Sequence, residues 1–125
     1  MRFMAIVKSA ENGRAPAEGF TEAMAKFREE SIKEGVLIDG SRLLPSEAGA
    51  RLRLASGKLT VTDGPFIESK EVVGGYGVYE FKSKRDAIYL MTRFMHLLAE
   101  HWPGWEGETE IRQLSDERCT DRKET

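Results

Sequence analysis

A chain of 125 residues, 40% apolar and 32% charged, describes one soluble globular domain with a core of ordinary size. Nineteen basic and 21 acidic residues leave a net charge of −2, which excludes a strong field for nucleic acid or an anionic membrane. No apolar run approaches the roughly 20 residues that span a bilayer, and a lone Cys119 points to no internal disulfide and to a reducing cytoplasm.

Arg2 to Lys8 alternates as a strand with apolar residues on both faces, the pattern of a central strand. Its apolar stretch is too short for a signal peptide. Asn12-Gly13 marks a loop, and Pro16 suits the first turn of a helix over 17–34. Phe20, Ala23, Met24, Phe27 and Ser31 form its apolar stripe, Ile32 lies off it, and Gly35 stops it. A second extended run covers 36–44. Two alternating segments, 51–54 and 58–62, flank Ser56-Gly57 and read as a β-hairpin. Leu52, Leu54, Leu59 and Val61 occupy one hairpin face; Arg51, Arg53, Lys58, Thr60 and Thr62 occupy the other, which is expected to be the wet side of a sheet edge.

A strand over 72–82 follows, interrupted by Gly74, Gly75 and Gly77, a sign of a bulge or a close backbone approach. Ser83 and Asp86 resemble a capping box ahead of a helix over 84–100. That helix carries a broad stripe of Ala87, Leu90, Met91, Phe94 and Leu98, widened by Ile88, Met95 and Trp102. Trp102-Pro103-Gly104-Trp105 reads as a packed loop, 109–114 as the last strand, and 115–125 as a polar tail. The domain is therefore 1–114. Without the hairpin the order is βαββαβ, the ferredoxin-like split unit in the α+β class. Its uncovered sheet face calls for a second copy, hence a homodimer with facing sheets.

The stretch between hairpin and glycine-rich strand, Asp63-Gly64-Pro65-Phe66-Ile67-Glu68-Ser69-Lys70-Glu71, concentrates ionisable groups on a stiff turn. Its structural role is a rigid turn that pins Phe66. Its functional role is a cleft wall on which Asp63 or Glu68 acts as acid, base or hydrogen-bond acceptor. Ligand contact is assigned to Asp63, Phe66, Glu68, Lys70 and Tyr76. His101, at the edge of the helix stripe, is the candidate acid–base partner of Asp63; the competing role is that of a histidine at a helix C-terminus. Arg51 and Arg53 read as a solvated strand face, and Glu110 and Arg112 as a structural ion pair with a neighbouring strand. No phosphate-binding loop, serine elbow or zinc-ligand cluster is present, and no cofactor or metal is called for.

Thr62-Asp63-Gly64-Pro65-Phe66, Glu68-Ser69-Lys70-Glu71 and Gly74-Gly75-Tyr76 together resemble the hallmark of the YCII-related, DGPF-domain family. Arg2-Phe3-Met4, Gly35-Val36-Leu37 and Trp102-Pro103-Gly104-Trp105-Glu106-Gly107 before Glu110-Ile111-Arg112 extend the resemblance over roughly residues 1 to 114. The resemblance implies a dimeric α/β barrel of ferredoxin-like units in a bacterial family whose members mostly lack an assigned activity. Some relatives resemble lyases and isomerases that use a His–Asp pair; others are encoded beside extracytoplasmic-function sigma factors. Two departures bear on catalysis: Lys8-Ser9-Ala10-Glu11 lacks the histidine of the enzymatic relatives, and Ser41-Arg42 replaces a Glu-Gly pair before Leu43. Three readings stand side by side, and the residues do not decide whether the protein is an enzyme. The first is a small-molecule binder with its cleft beside the Asp63 turn. The second is a regulatory module for a sigma factor. The third is a lyase or isomerase using Asp63 and His101.

Overall fold

In the computed structural model, which describes residues 1–11, 16–66 and 69–117, strand β1 (Arg2–Ser9) is the centre of the architecture. It is flanked by β5 (Val72–Glu80) and β6 (Gly107–Gln113), and β2 (Leu37–Arg42) closes the far edge in the order β2-β5-β1-β6. Every pairing is antiparallel. Helices α1 (Phe20–Lys33) and α2 (Lys84–His101) pack on one face. The order and sheet are compatible with the ferredoxin-like α+β fold, with hairpin β3 (Ala50–Ala55) and β4 (Lys58–Asp63) inserted between β2 and β5. Neither helix is long and apolar enough to cross a membrane.

The core follows from strand alternation. Phe3 stands opposite Tyr79 in the ladder, and both point under the helices with Ala5, Phe27, Phe81, Ala87, Leu90 and Met91. Tyr79 and Phe81 stack at 5.5 Å. Gly77 makes room for the Tyr79 ring, since a Cβ there would lie 2.6 Å from Tyr79 Cε1. The glycine-rich run also carries the expected bulge: Val7 pairs with Gly75 and Lys8 with Val73, which leaves Gly74 as the extra residue.

Helix α1 begins at Phe20, later than Pro16 suggests, because Gly19 adopts φ 89° and turns the chain just before the first helical residue. Its end is as expected. Gly35 is left-handed, and Val36 and Gly35 donate backbone N–H bonds to the Ser31 and Ile32 carbonyls, the Schellman arrangement. Ser83 caps α2 by accepting from the Asp86 N–H at 3.2 Å. Ile88 is exposed and does not widen the covered stripe of α2; Trp102 does extend cover, packing edge-on against Phe20 at 5.1 Å.

The other sheet face carries Met4, Ile6, Tyr76 and Val78, all half-buried. Beside them Lys8 Nζ donates to Glu110 Oε1 at 2.6 Å and Arg112 Nη1 to Glu110 Oε2 at 3.0 Å, the ion pair expected of Glu110 with a neighbouring strand. The bond from Lys8 holds the Glu110 carboxyl below its ordinary value and raises the Lys8 ammonium above its own.

The hairpin departs most from expectation. It is a separate two-stranded sheet, not an edge of the main one. Both central turn residues have positive φ, Ser56 at 51° and Gly57 at 76°, the geometry that matches strand twist in two-residue hairpins.

Candidate functional site

Where β4 ends, the chain passes through Gly64 and a cis Gly64–Pro65 bond and presses against a 3-10 turn over Ser46–Ala48. The approach is close enough to require glycine: a Cβ on Gly64 would lie 1.6 Å from the Ser46 carbonyl oxygen. The Gly64 N–H donates to the Gly49 carbonyl at 2.9 Å.

One serine ties three segments together. Ser46 is buried. Its hydroxyl donates to Glu11 Oε1 at 2.5 Å, and its backbone N–H donates to Glu11 Oε2 at 2.6 Å. The same hydroxyl oxygen accepts from the Phe66 N–H at 3.0 Å. The end of β1, the 3-10 turn and the Gly64–Phe66 loop are thus joined through one side chain. The two donors stabilise the ionised Glu11 and hold its carboxyl below the usual range.

Phe66 is fixed from its other side by the hairpin. The Arg51 guanidinium carbon lies 3.9 Å from the Phe66 ring centroid, and Arg51 Nη2 donates to Ser69 Oγ at 2.7 Å. Arg51 is therefore half-buried and not the solvated strand residue that alternation suggests. The cation–ring contact and the hydrogen bond use the planar guanidinium twice.

These contacts border a cleft of about 370 Å3. Ala10 and Glu11 line it from the end of β1, Pro45 and Glu47 from the 3-10 turn, and Pro65, Phe66, Ser69, Lys70 and Val72 from the loop. Apolar rings and a valine make its walls, and two carboxylates, an ammonium and a hydroxyl supply polar contacts. This mixture suits a small amphipathic molecule.

Of the residues singled out in the sequence, Phe66 and Lys70 line the cleft. Asp63 is exposed at the end of β4, opposite Ala50, and is not a lining residue. Tyr76 stands between Ile6 and Ser41 in the main sheet. Glu68 lies outside the described residues. His101 is half-buried at the end of α2, where its backbone carbonyl accepts from the Ala17 N–H at 2.9 Å. Among the described residues no hydrogen bond joins Asp63 to His101, and no cluster of metal-ligating side chains occurs.

Sequence reasoning missed Glu11, Ser46 and Arg51. Glu11 and Ser46 lie outside every periodic segment of the chain, and Arg51 falls on the polar face of an alternating strand. A polar residue straight after Pro45, opening a short turn, was the only available signal at Ser46.

The family model of the YCII-related domain matches residues 1–94. An uncharacterized protein of Rhizobium meliloti (strain 1021) is 37% identical over 57 residues. The aligned stretch covers 46% of this chain and 46% of that relative, about half the length of each.

Proposed function

The chain belongs to the YCII-related domain family, and we propose that it binds a small molecule in the cleft beside the Gly64–Phe66 loop. One observation carries the reading. A cleft of about 370 Å3, within the roughly 300–1,000 Å3 of small-molecule sites, is walled by a loop held from two directions. Ser46 holds the Phe66 backbone, and Arg51 holds the ring. Such fixing lowers the ordering cost of binding. Phe66 offers an apolar contact, and Lys70 and Glu47 offer opposite charges at the same opening.

The test is a thermal-shift screen of the purified protein against a metabolite collection, followed by calorimetry on hits. Phe66→Ala and Lys70→Ala should each weaken a genuine hit by about tenfold or more, the loss of one well-placed contact of about 1.4 kcal/mol. A screen without hits, or hits indifferent to both substitutions, would sink the proposal.

A further inference from the structure

Opposite charges line the cleft without neutralising one another. Glu11 enters from the end of β1 and Glu47 from the 3-10 turn, while Lys70 enters from the loop that carries Phe66. Among the described residues Lys70 pairs with neither carboxylate, and the Glu47 side chain bonds nothing. Where this chain uses opposite charges structurally it pairs them, as it pairs Lys8 with Glu110 at 2.6 Å. Both oxygens of Glu11 are bonded by Ser46, but by neutral donors. A carboxylate has about four acceptor positions, so about two remain. The same two bonds hold the Glu11 carboxyl below the usual range, which keeps it an anion at neutral pH. They also fix that anion beside Ser46, the chain neighbour of Glu47. The acidic contacts thus come from β1 and the 3-10 turn, the cationic one from the loop, and the apolar ones from Pro65, Phe66 and Val72.

We propose, resting on the small-molecule reading of this cleft, that its ligand is an amphipathic zwitterion. This is an aminocarboxylic acid whose ammonium meets Glu11 and Glu47, whose carboxylate meets Lys70, and whose apolar body lies against Phe66. An ammonium has three donors and no acceptor, which suits two carboxylates at once. The Lys70 ammonium is a compact point charge, which suits one carboxylate. Other charge types fit less well. A dianion such as a phosphate ester has one cation to meet and two carboxylates to repel it. An uncharged ligand covers three charges and pairs none of them. Size agrees: a cleft of about 370 Å3 lies near the lower end of the roughly 300–1,000 Å3 range of ligand sites, where a molecule as small as a free amino acid belongs.

Calorimetric titration of the full chain tests the proposal. The probes are L-leucine, L-phenylalanine and 6-aminohexanoate, which differ in body and in charge spacing, together with any zwitterionic hit from the metabolite screen. Each is compared with its N-acetyl form, which lacks the ammonium, and its amide, which lacks the carboxylate. At least one zwitterion should bind, and both of its altered forms should bind at least about tenfold more weakly, the loss of one charged hydrogen bond. Glu11→Gln/Glu47→Gln should erase the preference over the N-acetyl form and keep that over the amide. Lys70→Met should do the reverse. A general loosening of the cleft does not produce this crossed pattern. Should the double variant fail to fold, Glu47→Gln alone makes the same comparison, since that side chain bonds no other described residue. Zwitterions that bind no better than their altered forms overturn the proposal, as does a pattern that is not crossed. If no zwitterion binds while the screen returns ligands with one charge or none, the zwitterion is overturned and the small-molecule reading stands. If the screen also returns nothing, both fail.

Discussion

Ser46 and Glu11, 35 positions apart in the chain, are joined by two hydrogen bonds to the two oxygens of one carboxylate. Through the bond that the Ser46 hydroxyl accepts from Phe66, this pair sets the position of the loop that walls the cleft.

Ser46→Ala should test that role directly. The substitution removes a donor from Glu11 and leaves the Phe66 N–H without its acceptor. A cost of about 1–3 kcal/mol is expected in urea denaturation, the range for a partly buried group left unsatisfied. Amide exchange should accelerate at Phe66 but not in β1, where the ladder is untouched.

The pair also predicts a local acid response. The Ser46 hydroxyl, first, and the Ser46 N–H, second, lower the Glu11 pKa from 4.5. A depressed carboxyl stabilises the fold above its unfolded value, and the contribution is lost as pH falls through the lower folded value. Phe66 amide protection, corrected for intrinsic exchange, should be flat from about pH 7 to pH 5 and decline below the ordinary carboxyl pKa. Glu11→Gln should remove that decline. Glu110 titrates in the same sense through Lys8, so a global unfolding curve does not separate the two, whereas the Phe66 amide does.

Two glycine substitutions should separate crowding from backbone conformation. Gly64→Ala places a methyl group 1.6 Å from the Ser46 carbonyl oxygen, so the loop and the 3-10 turn must part, and a loss of at least about 3 kcal/mol is expected. Gly57→Ala meets nothing within 4 Å but sits at φ 76°, so only the left-handed penalty of about 1–2 kcal/mol applies. Equal losses in chemical denaturation would refute the distinction.

Arg51→Lys retains charge but not the planar group that stacks on Phe66 and bonds Ser69. A loss of about 0.5–1 kcal/mol is expected for a partly exposed cation–ring contact. In a double-mutant cycle with Phe66→Leu most of that loss should disappear, and additive effects would show that the stack contributes nothing.

At high pH the core tyrosine becomes the sensitive group. Burial raises the Tyr79 hydroxyl pKa above 10.0, opposed in part by Arg28. The folded state therefore holds the proton more tightly, and stability falls as pH rises above the unfolded value of about 10. Thermal unfolding followed from about pH 8 to pH 11 should show this fall, and Tyr79→Phe should flatten it.

Most secondary structure was legible in the chain because it rests on short-range rules. The two-residue alternation around Phe3, the stripe from Phe20 to Ser31, the Ser83 cap, the Gly35 stop and the bulge at the glycine run each depend on neighbours within a few positions. Where a local rule failed, another local conformation prevailed, as Gly19 did over Pro16 at the start of α1. The Gly64–Phe66 turn was also recognisable as rigid, and it placed Phe66 and Lys70 at the cleft.

By itself the sequence determined the order of the elements and the family, since hydrophobic period and turn chemistry are written in consecutive residues. Only the tertiary structure decided that Glu11 clamps Ser46, that Arg51 stacks on Phe66, and that the hairpin turns its leucines outward. These contacts join residues with no periodic relation to one another. Strand alternation separates the two faces of a ribbon but does not say which face meets protein, and here the guanidinium's stack and hydrogen bond on the cleft loop decide it.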